Sequence, residues 1–188
     1  MCGITGYFNF NEDKTSAISG EQYYKAHKLL NHRGPDNEGF IAQSEGNIAC
    51  YVGDDTVETI KGPHIRELET MDWVLGHRRL SILDLSDMGH QPMAYDGLYM
   101  VFNGEIYNYI ELKQSLIEVG YEFQSETDSE VLLKAFHYWR EDAFSKFNGM
   151  WAVAIYDSNI KDLFLCRDQF GIKPLYYMMD NQSFFFGS

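Results

Sequence analysis

A chain of 188 residues, 45% hydrophobic and 15% aromatic, has the material for one sizeable core. None of its apolar runs reaches the roughly 18 to 20 residues of a membrane helix, and 15 basic against 28 acidic residues leave a charge of -13 that repels a phosphate backbone, so neither membrane nor nucleic acid is an expected partner. The N-terminus has no basic segment leading into an apolar one, and cytoplasm is the expected compartment.

In chain order, "CGITGYF" reads as a short strand. A helix is predicted over about 19–31, where Tyr23, Tyr24, Ala26, Leu29 and Leu30 recur at helical spacing, and Gly34 and Pro35 in "HRGPD" stop it. Strands "GFIAQ" and "NIACYVG" follow, then a polar, charged stretch over 54–70 that reads as a peripheral, solvated excursion. "WVLGHRRLSILDL" and "LYMVF" are strands, and Asn103-Gly104 after the second is a turn signal. Helices are predicted over about 109–119 and 128–139, the second opened by Thr127 and Glu130 in capping-box spacing. "GMWAVAIYD", "DLFLCRD", "PLYYMM" and "SFFFGS" complete the pattern as β segments. Strands, then helices, then strands imply an α+β fold with mostly antiparallel sheets. The closing apolar run suggests a piece of a longer polypeptide.

Three cysteines without a CxxC pair fit neither a disulfide framework nor a zinc site, and no metal is expected. Cys50 and Cys166, inside apolar runs, read as small buried hydrophobes. Cys2 is different. Once Met1 is removed, a thiol and a free α-amine of similar reference pKa share one residue, so nucleophile and base are neighbours. The other explanation of Cys2 is that a small second residue simply permits methionine trimming.

A thiol attacking an amide needs donors for the developing oxyanion. Asn103 with the backbone N–H of Gly104 could supply them, or could form an ordinary hairpin turn. Strand alternation puts Arg78 with Val74, Leu80 and Ile82 on one face and Arg79 with His77 and Ser81 on the other. One of these guanidinium groups could grip a substrate carboxylate, or both could face solvent. Asp128 at a helix start suits the helix dipole or an ammonium ligand, and Glu105 is either a surface acid or a second amine-binding group.

The segments "MCGITGYF", "HRGPD", "GHRRLSILDLSDMGHQPM", "FNGEIYNY", "TDSEVLLKAF" and "RDQFGIKPLYY", in this order, resemble the glutaminase domain of glutamine-dependent asparagine synthetases, among the class II glutamine amidotransferases. The resemblance spans practically the entire chain. It implies one glutaminase domain over 1–188, an N-terminal nucleophile hydrolase sandwich of two antiparallel sheets between helical layers, and L-glutamine as substrate. It assigns Cys2 as nucleophile and Asn103 with Gly104 as oxyanion donors. Arg79, which directly precedes the leucine of "RLS", would hold the α-carboxylate. Glu105 and Asp128 would hold the α-ammonium, with backbone near Leu80 and Ile82 lining the pocket.

The glutaminase half needs no cofactor; ATP and Mg would serve a C-terminal synthetase domain absent from this chain, and a homodimer is among the assemblies the resemblance allows. Arg33, Asp36 and Asp168 gain no role. A retained Met1 would leave the thiol without its base. The alternatives are the same glutaminase feeding a polysaccharide or antibiotic amidation, and a non-catalytic regulatory module on the same fold.

Overall fold

The computed structural model describes residues 1–11, 17–81 and 87–188. Its elements are β1 (Gly3–Asn9), α1 (Gly20–Lys28), β2 (Asn37–Ser44), β3 (Asn47–Tyr51), β4 (Trp73–Arg79), β5 (Met93–Tyr95), β6 (Leu98–Ile106), α2 (Tyr109–Glu118), α3 (Asp128–Trp139), β7 (Gly149–Asp157), β8 (Asp162–Arg167), β9 (Tyr176–Met179) and β10 (Ser183–Gly187). Six strands pair in the order β3-β2-β4-β1-β10-β9 and four in the order β5-β6-β7-β8. All of these pairings are antiparallel.

Three apolar clusters define the layers. Ile4, Phe8, Trp73 and Leu75 of the six-stranded sheet meet Val101, Ala152, Ala154 and Tyr156 of the four-stranded sheet. The outer face of the smaller sheet, through Met100, Phe102, Val153 and Ile155, packs on Leu112 and Leu116 of α2 and Val131 and Phe136 of α3. On the outer face of the larger sheet, Tyr7, Phe40 and Val74 receive Tyr23 and Tyr24 of α1. Each fully buried large apolar side chain stabilises this arrangement by about 1.5–3 kcal/mol. The result is the expected α+β sandwich, two antiparallel sheets with helices outside both.

Several local expectations are corrected. β6 does not stop at Phe102: Asn103 and Gly104 stay in the strand, in register with Ala152 and Trp151 of β7. The hairpin turn lies earlier, at Asp96 and Gly97, whose φ angles of 46° and 79° suit a tight two-residue link between β5 and β6. The buried stripe of α1 is Tyr23, Tyr24 and His27, while Ala26 and Leu29 face solvent. Cys50, on edge strand β3, is exposed, and Cys166 is only partly buried.

The segment over 54–70 is not merely a solvated excursion, because Ile65 is fully buried against the α1 cluster and Asp55 reaches Arg78. Thr127 caps α3 by accepting from the Glu130 amide at 3.3 Å, but the Glu130 carboxylate turns to the amides of Gln124 and Ser125, so only half of the capping box forms. The strand predicted to continue through "SILDL" ends at Arg79, and residues 82–86 lie outside the described residues.

Candidate active site

Alternation decides which side chains reach the space between the sheets. Trp73 and Leu75 of β4 face the smaller sheet, so His77 and Arg79 follow on that face; Val74 faces α1, and Arg78 goes with it. On β6, Val101 faces inward and Asn103 and Glu105 continue its row. Ile4 faces inward on β1, and Cys2 stands two residues before it. Where these rows end, a cavity of about 210 Å³ is lined by Cys2, Arg79, Leu80, Asn103, Gly104, Glu105 and Asp128. Of the residues that the resemblance assigns to the site, Ile82 lies outside the described residues.

The Cys2 sulfur is held by the backbone of Leu80, whose N–H donates to Sγ at 3.4 Å while the thiol is directed to the Leu80 carbonyl at 3.6 Å. Burial pushes the thiol's pKa up; the Leu80 contact, the terminal amine, Arg79 and Lys173 act in the opposite direction. Met1 also lines the cavity, and with it in place the nitrogen of Cys2 is part of a peptide bond. Arg33 gains a location, since its Nε donates to the Cys2 carbonyl at 3.2 Å.

Asn103 is buried, and its Nδ2 donates to Ser188 Oγ at 3.2 Å; the same hydroxyl accepts from the Ile4 amide at 3.3 Å. Gly104 is required by close approach, because a Cβ there would fall 2.3 Å from the Met150 carbonyl oxygen. Asp128 begins α3 and accepts from the Ile106 amide at 2.9 Å. Burial raises its pKa, and the neighbouring Glu105 adds to the rise.

Neither arginine faces solvent. Arg79 is 8% exposed, with its guanidinium lying against Gly89, where a Cβ would sit 2.3 Å from Nη2. Arg78 is under the opposite face, bound to Glu38 at 2.6 Å, Asp55 at 2.9 Å and the Gly34 carbonyl at 3.0 Å. It therefore ties β4 to the loop after α1, whereas Arg79 lines the cavity.

Among the lining or supporting residues not singled out for the site are His77, Gln91, Ser188 and Lys173. His77 Nε2 donates to the Phe102 carbonyl at 3.1 Å, and burial with the charge of His90 lowers its pKa to about 3. Gln91 accepts from the Phe102 amide at 2.6 Å. Together they fix the residue that precedes Asn103. Ser188 orients Asn103 itself, and Lys173 lines the cavity beside Cys2. His77 was readable from the alternation that places Arg79; for Gln91, Lys173 and Ser188 no periodic signal exists.

The model of the glutamine amidotransferase domain family matches residues 59–188. Asparagine synthetase [glutamine-hydrolyzing] 1 of Bacillus subtilis (strain 168) is 37% identical over 190 residues, covering 100% of this chain and 26% of that protein. Asparagine synthetase [glutamine-hydrolyzing] 3 of the same organism is 32% identical over 193 residues, with 100% and 26% covered. The solved structure of glutamine phosphoribosylpyrophosphate amidotransferase from B. subtilis superposes with a TM-score of 0.78 at 21% identity over 99% of this chain and 41% of that one, a likeness of fold.

This chain belongs to the glutamine amidotransferase domain family. Within it, the whole-chain similarity is to glutamine-hydrolysing asparagine synthetases, in which it corresponds to the glutaminase half. The chain spans about a quarter of the length of these relatives.

Proposed function

We propose that this chain, once Met1 is removed, is a single glutaminase domain that hydrolyses L-glutamine to glutamate and ammonia with Cys2 as nucleophile. The freed α-amine accepts the thiol proton, and Sγ attacks the side-chain amide carbon. The tetrahedral oxyanion is stabilised by Asn103 Nδ2 and the Gly104 N–H. As the carbon–nitrogen bond breaks, the ammonium of Cys2 returns its proton to the leaving nitrogen, giving ammonia and a γ-glutamyl thioester. Water, deprotonated by the same amine, attacks the thioester and releases glutamate and the thiol.

Arg79 holds the α-carboxylate by its planar fork, while Glu105 and Asp128 hold the α-ammonium and the backbone near Leu80 shapes the wall. The observation that carries this reading is that Cys2, Arg79, Asn103, Glu105 and Asp128, from separate parts of the chain, line one cavity. No cofactor takes part in this half. The ammonia is consumed by a C-terminal synthetase domain that uses ATP and Mg, in a cytoplasmic protein whose assembly is a homodimer.

The test combines mass spectrometry of the N-terminus, an ammonia-release assay and a Cys2→Ala control. Processed protein is expected to hydrolyse glutamine and to carry one adduct on Cys2 after treatment with a glutamine-analogue electrophile. Neither activity nor adduct in processed protein would leave a non-catalytic module as the correct reading.

A further inference from the structure

Among the described residues, the cavity contains one charge that the proposed reaction does not use. Lys173, in "RDQFGIKPLYY", is 5% exposed and lines the cavity with Cys2. Its backbone N–H donates to Asp168, but its ammonium enters no ion pair or hydrogen bond among the described residues. Lys173 is almost wholly covered by protein and lines the cavity, where a cation pairs with an anion more strongly than it does on an open surface. Such a group fits a site where negative charge arises during turnover.

The loop that carries Lys173 is built to hold it there. The Asp168 carboxylate accepts from four backbone amides, those of Trp151 at 3.2 Å, Phe170 at 3.1 Å, Ile172 at 2.9 Å and Lys173 at 3.0 Å. Phe170 is thereby turned out to solvent while Lys173 is turned in. Within the cavity its charge acts on the Cys2 thiol, whereas the charge acting on Asp128 is that of Glu105. Lys173 and Cys2 thus line one cavity of about 210 Å³.

We propose that Lys173 is the counter-ion of the Cys2 thiolate, a positioning residue that holds negative charge on the sulfur after the α-amine has taken its proton. The proposal rests on the glutaminase reading for its role in turnover. Other groups facing the sulfur are Arg79 and the Leu80 N–H, with Arg33 on the Cys2 carbonyl, neutral His77 on β4, and Glu105 and Asp128 across the cavity.

The experiment uses processed wild-type protein and the variants Lys173→Met and Lys173→Arg, with Lys173→Gln replacing the methionine variant should that one not fold. The pH dependence of iodoacetamide alkylation is read at Cys2 alone by peptide mass spectrometry, and kcat and KM for glutamine are measured in parallel. In Lys173→Met the alkylation midpoint should move to higher pH and kcat at neutral pH should fall by about tenfold or more, with KM within about twofold; Lys173→Arg should recover most of both. An unmoved midpoint, or a raised KM with kcat intact, overturns the proposal. Wild-type protein that shows the midpoint difference but hydrolyses no glutamine would overturn the glutaminase reading and leave the thiolate pairing standing.

Discussion

Leu80 contacts the Cys2 sulfur with both halves of its backbone, the N–H donating at 3.4 Å and the carbonyl receiving the thiol at 3.6 Å. The first contact favours thiolate and the second favours thiol, so loss of the proton exchanges one for the other without moving the strand end. Because the sulfur is positioned by backbone, Cys2→Ala should eliminate ammonia release while leaving the rest of the pocket in place. Calorimetry should find glutamine bound by the processed variant with a Kd within about threefold of wild type.

Arg79 and Gly89 form a second dependent pair. Arg79→Ala removes the guanidinium and should raise KM by roughly a hundredfold, the scale of a lost charge-assisted hydrogen-bond pair. Lys at this position should recover little of it, since a point charge does not reproduce the fork. Gly89→Ala should also raise KM, because the new Cβ would occupy space 2.3 Å from Nη2 and the flexible guanidinium must yield. Steady-state kinetics with an unchanged KM in Gly89→Ala would contradict this packing.

Asn103→Ala removes a donor expected to strengthen only as the oxyanion forms. Turnover should fall by roughly 10² or more, with a much smaller change in KM. A variant that turns over like wild type would remove Asn103 from the mechanism.

In the proposed site Asp128 serves binding at the expense of stability. Burial raises its pKa, so the folded state favours the protonated form, and stability is lost as pH rises through the folded-state value. Asp128→Asn keeps an oxygen for the Ile106 amide and drops the charge. Its urea midpoint at pH 7 should lie above wild type, while KM for glutamine should rise by about tenfold or more through loss of the ammonium partner.

His77 makes the opposite contribution to acid stability. Its pKa is lowered to about 3, so below the usual histidine range the unfolded chain binds a proton that the native chain refuses. Stability is full above that range and falls as pH drops toward about 3, by up to roughly 1.4 kcal/mol per pH unit from this group. Buried His27, also shifted down, adds a slope of the same sign. His77→Gln retains a donor for Phe102, and denaturation curves between pH 6.5 and 4 should show a shallower loss than wild type.

Residues whose placement follows from a short repeat were legible in the sequence. Alternation separated Arg78 from Arg79 and put the second with His77, and Thr127 marked the start of α3. Asn103-Gly104 was misread as a turn because the dipeptide is compatible with two states. Pairing with Ala152 and Trp151 across β7 decides for strand, and that contact is remote in sequence. The true turn, Asp96-Gly97, carried an equally good dipeptide signal. Ile65 and Asp55 were hidden in a polar stretch because one buried side chain and one ion pair suffice to dock a loop without any periodicity. Lys173, Gln91 and Ser188 reach the site from loops or a strand end whose course depends on the assembled sheets.

The hydroxyl of Ser188 engages both the Asn103 side-chain amide and the backbone nitrogen of Ile4. A primary amide can rotate by half a turn and present oxygen where nitrogen stood, which would set a lone pair against the oxyanion. In the observed orientation Ser188 Oγ receives one hydrogen of Nδ2, a latch on the Asn103 side chain that leaves the second hydrogen free. The same latch is fastened to the strand that follows Cys2, so the proposed nucleophile and its proposed oxyanion donor share one anchor point.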